Sequence, residues 1–127
     1  MKIKTDQFGE IEFHEDKVIK FEPGIFGFEN LRQYLLIKTE DELFYWLYST
    51  EKPEIAFPLV GLALVDSEFP TKENNEVFGI VTLSKDPLQI TVNLKAPVYI
   101  NQNNKIGFQE IIDSEKYPVN YKLFIGE

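Results

Sequence analysis

Apolar and polar residues alternate with a period of two along most of this chain, the spacing that turns one face of an extended strand toward a core. Lys2-Ile3-Lys4-Thr5 and Gly9 to Phe13 alternate in this way, and Lys17 to Phe21 follows the polar turn Glu15-Asp16. Gln33 to Ile37 and Leu43 to Ser49 read as the next two strands, separated by the acidic turn Thr39-Glu40-Asp41-Glu42. Val77 to Leu83, Ile90 to Leu94 and Pro97 to Asn101 resume the pattern. The turn Asn101 to Asn104 leads into Lys105 to Ile112, since asparagine tolerates left-handed backbone, and Tyr121 to Ile125 is the last apolar piece.

The interruptions carry their own signals. Glu22-Pro23-Gly24, with a second glycine at Gly27, predicts a loop or single helical turn reaching about Leu31, whose Ile25, Phe26 and Phe28 plug one end of a barrel. Ile55 to Val65 is apolar but holds Pro58 and Gly61; proline cannot donate to a ladder, so an edge position or a bulge is expected there. Asp66 to Asn75 is the most polar stretch and the best candidate for a mobile excursion. Within Leu43 to Ser49, Phe44, Trp46 and Tyr48 face opposite to Leu43, Tyr45 and Leu47, so both faces are apolar. Such a strand is covered on both sides, the commoner case, or it exposes one aromatic face to a partner.

About ten short strands, spaced roughly 8 to 12 residues apart and without an amphipathic helix of three turns, predict a mostly β fold with short helical turns, an antiparallel barrel or sandwich. At 127 residues the chain has the size of one domain, expected to span 1–127. Hydrophobic residues at 43% and aromatics at 14% exclude a disordered chain.

Charge and chemistry narrow the function. With 21 acidic against 13 basic residues the net charge is −8, which repels phosphate backbones and attracts basic partners, so no direct nucleic-acid binding is expected. Excess carboxylates also serve plain solubility. The absence of cysteine excludes disulfides, thiolate nucleophiles and cysteine zinc sites. The N-terminus alternates charges, and no apolar run approaches the ~20 residues that span a bilayer, so a cytoplasmic protein without membrane association is expected.

The single histidine, His14, sits among Glu12, Glu15 and Asp16 and reads as solvent-facing. One histidine leaves no triad for Ser49, Ser67, Ser84 or Ser114. Carboxylates alone leave a small paired-carboxylate glycosidase open, but Glu40-Asp41-Glu42 lies in a turn and the chain has little room for a sugar cleft. No catalytic residue, metal ligand set or cofactor loop is assigned.

The order of motifs resembles a known family. Phe21-Glu22-Pro23-Gly24-Ile25-Phe26-Gly27-Phe28-Glu29 is preceded by Gly9-x-Ile11 and followed by Ala56-Phe57. Thr91-Val92-Asn93-Leu94-x-Ala96-Pro97-x-x-Ile100-Asn101 and Gly107-x-Gln109 complete the series. These resemble the FliW family of flagellar assembly factors over nearly the whole chain. The chain departs from the family where Asp66-Ser67-Glu68-Phe69 replaces an aspartate-tyrosine-glutamate element, and where Asn120 stands at a position usually held by arginine.

The resemblance implies a small, antiparallel β-barrel-like protein, monomeric when free, that catalyses nothing. It implies binding to cytoplasmic flagellin and, when flagellin is absent, to the translational regulator CsrA, relieving repression of flagellin mRNA. On that reading Asp66, Glu68, Glu73, Glu76, Glu110 and Asp113 supply the acidic field that meets CsrA. Phe44, Trp46, Tyr48 and Phe57 are the candidates for an apolar groove that meets flagellin. The competing reading is a ligand- or carbohydrate-binding barrel, which requires an open cavity lined by aromatics.

Overall fold

The computed structural model describes residues 1–40 and 43–124. Asp41, Glu42 and Ile125, where the sequence puts part of the acidic turn and the end of the last strand, lie outside the described residues. Strands form at β1 (Lys2–Thr5), β2 (Gly9–Glu12), β3 (Ile19–Phe21), β4 (Gln33–Lys38), β5 (Phe44–Ser49) and β6 (Ala56–Gly61). They continue at β7 (Glu76–Thr82), β8 (Thr91–Val92), β9 (Val98–Asn101), β10 (Ile106–Gln109) and β11 (Tyr121–Lys122). A single helical turn, α1 (Leu62–Val65), and two 3-10 turns complete the described elements.

β7, β6, β5, β4, β3, β10 and β9 follow one another around a ring, and β9 pairs back onto β7 to close a barrel. Every pairing in the ring is antiparallel except β3 with β10, where Gly107 lies beside Phe21 in parallel register. The purely antiparallel expectation is corrected here for a geometric reason: a closed ring with an odd number of strands cannot alternate direction all the way round. The end of β7 leaves the ring, with Val81 and Thr82 pairing onto β8, which in turn carries β11. β1 and β2 form a separate hairpin.

Nine fully buried side chains fill the barrel, among them Phe21, Tyr34, Leu47, Leu59 and Phe78. Ile25, from the loop after β3, belongs to this cluster, and Phe28 packs against it as expected. Phe26 does not plug the barrel; it is 42% exposed. Gly24 lets this loop fold tightly, because a Cβ there would stand 2.5 Å from the Leu31 carbonyl and 2.7 Å from that of Phe28.

β5 is covered on both sides. Tyr45 and Leu47 face the barrel interior, whereas Trp46 and Tyr48 pack outside under Ile3, Ile11 and Phe13 of the N-terminal hairpin region. Phe44, also outward, meets a second outer cluster that includes Val60, Leu62, Phe69 and Tyr117.

β6 is an interior strand of the ring, but its ladder with β7 starts at Leu59, one residue past Pro58. The proline thus sits where β6 is paired on one side only, consistent with its missing N–H. Gly61 ends the strand, and Leu62–Val65 winds into α1 instead of prolonging it. Asp66 to Asn75, expected to be mobile, is anchored: Phe69 is 3% exposed and packs edge-on against Tyr117, and the Tyr99 hydroxyl donates to the Pro70 carbonyl at 3.2 Å. The anchor is the one large aromatic within a polar run.

Side chains that turn the backbone trim the expected strands. Asn93 Oδ1 accepts from the amides of Lys95 and Ala96, which stops β8 after Val92. At Asn101 the strand ends where expected, and Asn101 Oδ1 accepts from Asn103 and Asn104 in the turn before β10. The chain before Ile19 winds as the 3-10 turn Glu15–Lys17, so β3 is shorter than its alternation suggests.

Candidate functional site

Gly61 has no side chain to pack, and the helical turn behind it splits its residues between two destinations. Leu62 is fully buried, while Leu64 is 72% exposed. Leu64 and Val65 form one wall of an apolar groove with Leu43, Phe44, Val60 and the tail residues Tyr121, Leu123 and Phe124, about 200 Å³ in volume. The tail is held there by the β8–β11 pairing and by Leu123 N–H donating to the Ile90 carbonyl at 3.2 Å. On the other side of Leu64 lies a second hollow of about 350 Å³, bounded by Tyr45, Thr71, Glu76 and Phe78. Leu64 is therefore a ridge between two hollows.

The predicted acidic residues begin where α1 ends. Asp66 accepts from the Glu68 amide at 3.0 Å, and Glu68 and Glu73 are exposed. Glu76 borders the second hollow and accepts from the Gln102 side-chain amide. Glu110 is paired with Lys72 at 3.3 Å, and that lysine also lies 5.3 Å above the Tyr99 ring. Burial raises the Tyr99 pKa, with the Glu110 charge and Tyr117 adding to it. Asp113 is exposed beyond β10.

The four aromatic candidates go to three different places. Phe44 lines the open groove. Trp46 and Tyr48 lie under the N-terminal hairpin, with Tyr48 1% exposed and its hydroxyl donating to Gln7. Phe57 packs against the barrel core, edge-on to Phe28 at 5.1 Å. Sequence reasoning missed Leu64, Val65, Tyr121, Leu123 and Phe124. For Leu64 and Val65 the available signal was Leu62-Ala63-Leu64-Val65, an unbroken apolar run directly after Gly61, which marks either a segment covered on both faces or an apolar surface left open.

His14 is exposed, at the start of the 3-10 turn. Among the described residues no group of three or more His, Cys, Asp or Glu is placed to hold a metal ion, and no helix is long and apolar enough to cross a membrane. The barrel interior is filled by its own side chains, so the ligand-binding reading lacks a lumen.

A small closed β-barrel with an apolar groove beside a carboxylate-bearing segment is thus the class of protein that fold and surface define. The family model described as FliW protein matches residues 2–123. The chain is 39% identical to the flagellar assembly factor FliW of Caldicellulosiruptor saccharolyticus, covering 96% of this chain and 90% of that one. Against the factor of Thermosipho africanus the identity is 37%, over 97% and 95% of the two chains. A crystal structure of the flagellar assembly factor FliW superposes with a TM-score of 0.90 at 28% identity, covering 100% of this chain and 99% of that one. The chain belongs to the FliW family.

Proposed function

We propose that this protein is a cytoplasmic flagellar assembly factor that binds flagellin and, when free of it, binds CsrA and relieves repression of flagellin mRNA translation. It acts by occupancy alone, without catalysis, metal or cofactor. The observation that carries the flagellin half is the groove beside Leu64, an exposed apolar surface that suits the apolar face of a helix. The acidic segment from Asp66 to Glu76 supports the CsrA half, because an RNA-binding regulator is basic on its RNA face and is steered toward carboxylates.

Size-exclusion chromatography of the purified protein with flagellin and CsrA from the same organism tests both halves. Each is expected to co-elute at low salt, and flagellin is expected to displace CsrA. Separate elution of both partners would refute the proposal.

A further inference from the structure

The barrel wall has a gap between β3 and β4. Their pairing covers only Ile19 with Tyr34 and Lys20 with Gln33, because the preceding chain winds away as the 3-10 turn Glu15–Lys17. β4 runs on to Lys38 with β5 alone beside it. Two flanking bonds fix the direction of its backbone groups: Thr50 N–H donates to the Gln33 carbonyl at 2.9 Å, and Thr39 N–H to the Phe44 carbonyl at 3.0 Å. Odd-numbered residues of β4 therefore bond β5, and even-numbered ones point toward β3. Tyr34 meets Ile19 there, whereas Leu36 and Lys38, beyond the end of β3, present their amides and carbonyls to no strand among the described residues.

The gap opens as a cleft of about 420 Å³. Leu35, Leu36, Ile37 and Lys38 all line it, and since successive residues of a strand face opposite ways, the cleft runs along the edge of β4 instead of over one face. Ile11 and Phe13 add an apolar wall. Among the described residues that line it, Lys17, Lys38 and Lys105 converge on this cleft against a single carboxylate, Glu12, a local reversal in a chain of net charge −8. Among the described residues, the salt bridges Lys2–Glu10 and Lys72–Glu110 engage none of the three.

We propose that this cleft binds an extended acidic segment of a partner protein, which adds itself to β4 as a further strand. The unpaired groups of Leu36 and Lys38 supply the main-chain bonds, the apolar wall takes alternate side chains, and the lysines take the carboxylates. A second copy of this chain does not fit, because edge-to-edge pairing would bring the same lysines together. The site has the opposite charge preference to the Asp66–Glu76 segment and stands independently of the flagellin and CsrA reading.

The test uses the full chain and a fluorescent peptide of about eight residues alternating glutamate with valine, followed by anisotropy at low salt and by backbone amide exchange. The peptide is expected to bind, and binding is expected to slow exchange at Leu36 and Lys38, which in the free protein exchange faster than Leu35 and Ile37. N-methylation of alternate peptide amides abolishes binding, and Lys17→Gln with Lys38→Gln weakens it at least ~10-fold.

Lys105→Gly provides a variant that folds without penalty, since Lys105 has φ 57 and glycine favours that region, yet it too weakens the peptide. Equal binding of a lysine-for-glutamate peptide, or unchanged exchange at Leu36 and Lys38 under saturation, overturns the proposal. So does binding of anionic phospholipid vesicles at this cleft with no binding of the peptide.

Discussion

Gln109 and Phe26, 83 residues apart in sequence, are joined by a hydrogen bond in which the Phe26 amide donates to Gln109 Oε1 at 2.9 Å. The same side chain donates from Nε2 to the Ala96 carbonyl at 3.0 Å. One glutamine at the end of β10 thus ties the loop after β3 to the turn before β9, and it links three of the sequence motifs that mark the family. Their polar residues act on backbone: Glu29 accepts from the Gly27 amide at 2.8 Å, and Asn93 and Asn101 shape the turns that follow them. Gln109→Ala is expected to cost about 1–3 kcal/mol in a urea titration, for two lost bonds, with Gln109→Glu less harmful because it keeps an acceptor for Phe26. An unchanged midpoint would show that the loop holds itself.

Gly107 sits in the same motif for a steric reason. A Cβ built there would run into the ring of Phe21, which is fully buried. Gly107→Ala is expected to destabilise by about 1–3 kcal/mol or more, visible as a lowered Tm. A melting temperature equal to that of the unmodified chain would mean that the β3–β10 pairing can widen at no cost.

Among the described residues, Tyr34 carries the one buried side-chain polar atom without a partner. Its side chain is 0% exposed, its hydroxyl has no hydrogen bond, and burial, then the Glu51 charge, push its pKa up to about 12. Tyr34→Phe is therefore expected to be neutral or stabilising, unlike a typical core substitution. The raised pKa also sets a sign: between pH 10 and 12 the unfolded chain releases a proton that the folded chain keeps, so stability falls as pH rises. The slope is about 1.4 kcal/mol per pH unit for one proton, and it should shrink in Tyr34→Phe, as read by denaturant titrations across that window.

Leu62 and Leu64, two residues apart on one helical turn, separate stability from binding. Leu62→Ala, at a fully buried site, is expected to cost about 2–5 kcal/mol. Leu64→Asp, at a position 72% exposed, should leave stability within about 0.5 kcal/mol and abolish co-elution with flagellin. Retention of flagellin by a folded Leu64→Asp protein would remove the groove from the proposed function.

The electrostatic account of CsrA binding has its own check. Reversing Glu68 and Glu73 together to lysine should slow association and flatten its dependence on ionic strength, with little change in folding because both are exposed. Glu110 makes a weaker target, since Lys72 already pairs with it. Rates in stopped flow that ignore both salt and charge reversal would dismiss this account.

Period-two alternation marks most of the strands, and the two-sided apolar pattern of β5 matches a strand covered on both faces. Where alternation misled, a local competitor won. Asn93 captured the amides of Lys95 and Ala96, the chain past Gly61 coiled into α1, and the 3-10 turn before Ile19 shortened β3. Each of these is a choice between hydrogen-bond partners that hydrophobicity does not rank.

Sequence by itself determined the β class, the family and the acidic balance, because all three are written in the period, order and identity of residues. Tertiary structure alone decided which apolar residues face water. Trp46, Tyr48 and Phe57 are as aromatic as Phe44, yet the first two pack under a hairpin and the third against a loop, whereas the fourth lines the groove beside the exposed Leu64. It also decided that the ring closes on seven strands with one parallel seam, and that β3 stops short of Leu36 and Lys38. Burial and open edges arise from contacts between segments far apart in the chain, and no local pattern records which segment will arrive to make them.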